Sequence, residues 1–180
     1  MKKIFITVFI FTFYFTTIAT AKQNKAFTKV GDWGQVILPI AAAGISYLKE
    51  DNFNGTKQLA KTYASTMLVT YGLKYTIHAE RPNGKKDSFP SGHASSAFGG
   101  ASFLAFRYGY KYGIPAYLGA IAVGASRINA NQHSLADVVA SATISLICGN
   151  IFTTRFEETV TLGAGPVKGG GQVLTMKVAL

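Results

Sequence analysis

The run Phe89-Pro90-Ser91-Gly92-His93-Ala94-Ser95-Ser96-Ala97 decides how the rest of the chain is read. Pro90 stops any helix before it, Ser91 is a good N-cap, and the small and apolar residues that follow are patterned as a helix. Gly92 lets the backbone come close to a ligand. The first turn of such a helix offers unpaired N–H groups and the positive end of the dipole, an arrangement that holds a phosphate-like anion. His93 stands at that mouth, where an imidazole can exchange a proton with whatever is bound. Alone, the run also has a plain reading, because Ser and Gly caps are common and one His at a helix start is usually a surface residue.

Working outward, the pattern predicts an all-α bundle of about five helices. Gly31 to Gly34, with Asp32 and Trp33, is a turn-rich opening, and Gln35 to Leu48 carries no charge and is expected as a buried helix. Lys49 to Thr56 is a polar loop. A long helix is expected from Lys57 to about Glu80, with Leu59, Tyr63, Met67, Tyr71 and Lys74 at spacings of three and four. Pro82 should end it. Asn83 to Phe89 is a polar loop in which Lys85 and Lys86 are expected to be solvated, and His78 is expected at the surface. The helix from Ser91 or Gly92 should run through Phe106. Tyr108 to Pro115 is expected as a connection, Ala116 to Ser126 as a helix, and Asn129 to Gln132 as a turn. Leu135 to Phe152 is a last apolar helix whose only charge is Asp137. From Thr159 two short strand-like runs flank a Gly-rich turn, which reads as a β-hairpin or a frayed terminus.

Met1-Lys2-Lys3, an uncharged stretch from Ile4 to Ala21 and the end Ala19-Thr20-Ala21 have the form of a secretory signal peptide cleaved after Ala21. An uncleaved anchor is the competing reading, and both export the remainder. The expected organisation is therefore a leader over 1–21, a helical domain over 22–158 and a Gly-rich tail over 159–180.

Composition narrows the partners. Charged residues are 14 % of the 180, against about 25 % in an average soluble domain, while apolar ones are 48 %. The net charge of +10 suits phosphorylated small molecules or anionic headgroups. No Arg-rich run or basic-aromatic stripe points to nucleic acid. Cys148 is the single cysteine, so an intrachain disulfide is ruled out, and it reads as a small buried hydrophobe. The uncharged runs fall short of the roughly 20 residues that span a bilayer, and hydropathy leaves water and lipid both open.

Three groups of residues carry chemistry: Lys74-x6-Arg81-Pro82, Pro90-Ser91-Gly92-His93 and Ser126-Arg127-x5-His133-x3-Asp137. Lys74, Arg81 and Arg127 would repel one another around a point unless an anion lay between them, and a phosphoryl group gripped by Arg forks is the natural occupant. His133 and Asp137 are four apart and would share a helix face. The carboxylate could then hold one ring nitrogen and leave the other free to attack. Taken singly, each of these residues has a plainer reading as a structural hydrogen bond, a solvated face or a helix-end charge.

Together they resemble the superfamily that unites type-2 phosphatidic acid phosphatases, class A acid phosphatases and vanadium haloperoxidases. All eleven fixed positions of its pattern are present in order over residues 74 to 137. The resemblance implies that His133 attacks phosphorus, that Asp137 orients it, and that His93 protonates the leaving alcohol. It implies that Lys74, Arg81, Ser91, Gly92 and Arg127 hold the phosphoryl oxygens, with no metal and no cofactor.

The run Asp87-Ser88-Phe89 lacks the Gly expected of the soluble acid phosphatases, and Ala94 stands where they carry Thr. The chain looks more like the lipid phosphate phosphatases. The expectation is an exported, periplasmic and membrane-associated phosphatase acting on a lipid-linked phosphate or pyrophosphate. The alternatives are a soluble periplasmic acid phosphatase of broad specificity, a vanadium haloperoxidase, and a phosphate-binding module without turnover.

Overall fold

The Gly92–Tyr108 helix is the axis of the molecule because its residues are small enough for four other helices to touch it. In the computed structural model, residues 24–156 are described in full, with the backbone of 159–166 and 172–179. In chain order the helices are α1 (Lys25–Lys49), α2 (Asn54–Ile77), α3 (Gly92–Tyr108), α4 (Tyr110–Asn129) and α5 (Leu135–Phe152). The proposed leader at 1–21 lies outside the described residues. After α5, β1 (Thr159–Pro166) and β2 (Gln172–Ala179) pair antiparallel, with Thr159 opposite Ala179.

α3 is buried without a break from Ala94 to Leu104 and packs against all four other helices. Gly100 shows how tight this is. A Cβ there would lie 3.0 Å from the Pro39 backbone, so α1 rides directly on α3 at that level. α1 and α2, by contrast, touch each other little.

Several boundaries differ from the sequence expectation. α1 begins at Lys25, so the Gly31–Gly34 stretch is helical; Asn24 caps it, its Oδ1 accepting from Ala26 N at 2.9 Å. α2 ends at Ile77 rather than near Glu80. His78 turns left-handed there (φ 51°), donates its N–H to Lys74 O, and places its exposed ring 3.0 Å from Asp87. α4 begins at Tyr110, with Pro115 inside it. Proline near a helix start forfeits only one interior bond, so it need not mark a connection.

The larger difference is which side chains face inward. The run Gln35–Leu48 is not a buried helix: in α1 only Gly31, Ala42 and Ser46 are buried, while Leu48 is 83 % exposed. In α2 the buried stripe is Leu59, Thr62, Thr66, Thr70 and Lys74, offset by one residue from most of the expected apolar series. Hydroxyls explain the offset. Thr62 and Thr153 pair at 2.9 Å, Thr70 donates to Ser95 at 2.8 Å, and Ser141 and Ser145 of α5 donate to the Ser91 and Ser95 carbonyls. Small hydroxylated residues let helices approach and bond across the gap, as they do in lipid. Trp33, Ile40, Leu68, Leu118 and Ile151 point outward. Among the described residues, α5 is the one helix long and apolar enough to cross a membrane. Cys148 is buried in it, as expected.

The end of the bundle away from Gly92 is closed by a buried ion pair. Glu50, whose side chain is 0 % exposed, accepts from Arg107 Nε at 2.8 Å and Nη2 at 2.7 Å. It also accepts from Tyr108 OH and Gly55 N, and Arg107 reaches on to the Thr154 carbonyl. Removing one partner strands the other charge without solvent. Glu50→Ala should therefore lower the unfolding free energy by about 3–5 kcal/mol, measured by denaturant unfolding in detergent. A loss below about 1 kcal/mol would show that the pair is not desolvated.

Candidate active site

At the opposite end, the first turn of α3 meets the last turns of α2 and α4 and the start of α5. Ser91 is the N-cap: its Oγ accepts from Ala94 N, its N–H donates to Asp137 O, and its carbonyl accepts from Ser141. The next N–H groups, at Gly92 and His93, open α3 and have no acceptor within the helix.

Lys74 lies in the last turn of α2 and is buried. Its ammonium donates to the carbonyls of Asp87 and Pro90 at 2.7 Å and of Ser88 at 3.3 Å, bracing the loop that leads into α3. Burial and the nearby Arg81 both press its pKa below the ordinary lysine value. Arg81, in that loop, donates to Gln132 Oε1 at 2.8 Å and to the Lys86 carbonyl, which ties it to the turn carrying His133. Lys85 and Lys86 are exposed.

Arg127 comes from the last turn of α4 and is buried. Its Nε donates to Ser126 Oγ, its Nη1 to Asp32 at 2.8 Å, and its Nη2 to the Thr28 carbonyl. A Cβ on Gly31 would collide with the Arg127 guanidinium and Ser126 Oγ, so glycine there gives the arginine its path to α1.

His133 and Asp137 do not share a helix face as the four-residue spacing predicts. Ser134 caps α5 and forms a capping box with Asp137, which leaves His133 one residue ahead of the cap. The two meet across the helix start, with His133 Nδ1 3.5 Å from Asp137 Oδ2. That oxygen also accepts from Ser88 Oγ at 2.5 Å and Ser134 N at 2.7 Å. With Nδ1 turned to the carboxylate, Nε2 is the ring nitrogen left for other chemistry. Burial pushes the His133 pKa down, against the pull of Asp137, and Lys74 and Arg81 add to the lowering. A neutral imidazole is the outcome.

His93 is half-buried and lies 3.6 Å from Asp32. Its pKa is pushed down to about 4, by burial first and then by Arg127, with His133 and Arg81 contributing in the same direction. Arg127 and His93 meet through Asp32, Arg81 is held by Gln132 beside His133, and the Asp137 carbonyl accepts from the Ser91 N–H. All eight sequence-assigned residues therefore surround the same end of the bundle.

Three neighbours were not assigned from sequence. Asp32, half exposed, links Arg127 to His93; Ser88, fully buried, anchors Asp137; Gln132 carries Arg81. Asp32 could have been singled out as one of only eight acidic residues. Nothing in the pattern marks Ser88 or Gln132. Among the described residues no three His, Cys, Asp or Glu side chains cluster so as to hold a metal ion.

Residues 82–160 match the PAP2 superfamily. The chain is 32 % identical to a lipid A 4'-phosphatase of Helicobacter pylori over 67 % of its own length and 66 % of that protein. It is 34 % identical to a lipid A 1-phosphatase of Porphyromonas gingivalis over 43 % of its length, but spans only 18 % of that much longer chain. Its fold matches the crystal structure of Aquifex aeolicus LpxE with a TM-score of 0.65 at 24 % identity, covering 77 % of this chain and 91 % of that one.

A doubly charged anion in this site favours the imidazolium form of His93, which is neutral at pH 7 in the free protein. Sulfate, which does not titrate in this range, should therefore bind more tightly as pH falls from about 8 to 5, with up to one proton taken up per ion. Calorimetry in buffers of different ionisation enthalpy measures both. A sulfate affinity independent of pH would refute the coupling.

Proposed function

Since this chain belongs to the PAP2 superfamily, we propose that it hydrolyses a lipid-linked phosphate monoester or pyrophosphate through a phosphohistidine at His133. The observation that carries this is geometric: His133, its Nδ1 3.5 Å from Asp137, and His93 stand at one end of the bundle with Lys74, Arg81 and Arg127 around them. Arg81 and Arg127 grip the phosphoryl oxygens with their remaining N–H groups, and the Ser91–His93 turn supplies backbone donors from Gly92 onward. Lys74 adds charge from beneath the loop it braces, so the cations stabilise the charge on the transferring group without a bound metal.

Two displacements at phosphorus follow one another. His133 Nε2 attacks phosphorus, and the phosphorus–oxygen bond to the alcohol breaks. His93 gives the departing oxygen its proton. Asp137 holds the positively charged phosphoimidazole, itself fixed by Ser88 and the Ser134 N–H. His93, now neutral, takes a proton from water as that water attacks phosphorus, and phosphate leaves with His133 restored.

Membrane association is supported by the many large apolar side chains on the outside of the bundle, Trp33, Ile40, Leu68, Leu118 and Ile151 among them, around a core rich in alanine, serine and threonine. The similarity to lipid A phosphatases supports a lipid-linked substrate, and the leader-like Met1–Ala21 supports an exported site.

The purified chain should release phosphate from lipid phosphates in detergent and remain active in EDTA. His133→Ala should lower turnover by about 10³-fold or more while changing phosphate affinity much less. Radiolabelled phosphate should be trapped on wild-type protein in an acid-labile, alkali-stable form. Turnover that survives His133→Ala would overturn the nucleophile assignment.

A further inference from the structure

Asp32 stands on α1 at the active-site end, half exposed, and faces two groups of the site at once. Its Oδ1 accepts from Arg127 Nη1 at 2.8 Å and lies 3.6 Å from His93 Nε2, ion-pair distance once that ring is protonated. Arg127 is also held by Ser126 Oγ and by the Thr28 carbonyl, one turn before Asp32 on the same helix. The carboxylate is therefore fixed by an arginine that is itself fixed twice more. Each histidine of the site thus turns one ring nitrogen to a carboxylate: His133 Nδ1 to Asp137 at 3.5 Å, and His93 Nε2 to Asp32. The nitrogen left free on His93 is Nδ1, the one nearer its own main chain, where the Gly92 and His93 N–H groups open α3. The other charged or titratable groups that act on His93 come from three elements: Arg127 of α4, Arg81 of the α2–α3 loop and His133 ahead of α5. All three oppose a proton on the ring, and Asp32 favours one.

We propose that Asp32 is the positioning residue of His93: it orients the ring through Nε2 and balances the imidazolium that the acid step requires. The inference rests on the phosphatase reading and adds how its acid is held. Before the first displacement His93 carries a proton on each nitrogen. Nδ1 gives its proton to the departing alcohol oxygen, and the Nε2 proton stays with Asp32. Nδ1 then takes a proton from the attacking water, which returns the ring to its charged form beside the same carboxylate. Asp32 also acts on the anion, because a carboxylate on Arg127 repels a phosphoryl group gripped by the same guanidinium. It therefore weakens ground-state binding while it supports turnover.

The test is Asp32→Asn in the full chain in detergent, which keeps an oxygen acceptor for Arg127 and removes the charge. Dodecyl phosphate needs a proton on its leaving oxygen, whereas p-nitrophenyl phosphate does not. The ratio of kcat/KM for the first to kcat/KM for the second should fall by about tenfold or more. Sulfate should bind the variant about twofold or more tighter at about pH 8. In the sulfate complex, NMR of histidine-labelled protein should show the His93 ring titrating about one pH unit or more lower than in wild type, the signal being assigned by its loss in His93→Gln. Asp32→Ser should move each readout the same way, and Asp32→Glu, which keeps the charge, should recover most of the ratio. A ratio within about twofold of wild type, or an unmoved His93 titration, would overturn the role of Asp32 and leave the phosphatase reading standing. Failure of wild-type protein to hydrolyse either ester would overturn that reading, while a lowered His93 titration would still uphold the pairing with Asp32. Equal loss on both esters together with weaker sulfate binding would show that Asp32 serves only to hold Arg127, and would overturn the proposal.

Discussion

Three cations meet at one end of a helical bundle, and like charges so placed must be balanced. Lys74 is balanced by carbonyl dipoles, Arg81 by the Gln132 amide and the Lys86 carbonyl, and Arg127 by Asp32 and the Thr28 carbonyl. Among the described residues Asp32, Asp87 and Asp137 stand close by, but Asp87 is turned to His78 and Asp137 is committed to His133, Ser88 and the α5 cap. The site is thus short of negative charge, a shortage that an incoming phosphoryl group makes good. Burial first, and the neighbouring cations after it, lower the pKa of both imidazoles.

The braces around the cations are also what hold the bundle's catalytic end together. The loop between α2 and α3 has no regular structure of its own, yet Lys74 binds three of its carbonyls and Ser88 pins it to α5. Lys74 and Ser88 thus fix the loop and the charged residues beside it at the same time. At the far end, Glu50 and Arg107 perform a purely structural version of the same task.

Packing by small residues has two consequences that serve one end. It brings four helices onto α3 so that their ends converge on a single turn. It also leaves many bulky apolar side chains on the outside, where lipid rather than water is the fitting solvent. α1 and α2 belong to the same pattern, because they touch each other little and rest on α3, α4 and α5.

The residues that gather at this end of the bundle could be picked out in the sequence because each of the three motifs is local: spacing along the chain sets what a cap, a loop and a helix start present. α5 was legible as an apolar run from Leu135 to Phe152 with Asp137 its only charge, but its Ser134 cap was not, and His133 was expected on the helix that it precedes. Which face of α1 and α2 turns inward was not. A pattern of apolar residues shows that a face seeks a nonaqueous neighbour, but not whether that neighbour is protein or lipid, and here hydroxyl-mediated contact with α3 and α5 took the inner face. Asp32, Ser88 and Gln132 stayed hidden because their roles depend on partners 95, 49 and 51 residues away. Only the folded chain brings such pairs within the few ångströms over which a hydrogen bond acts.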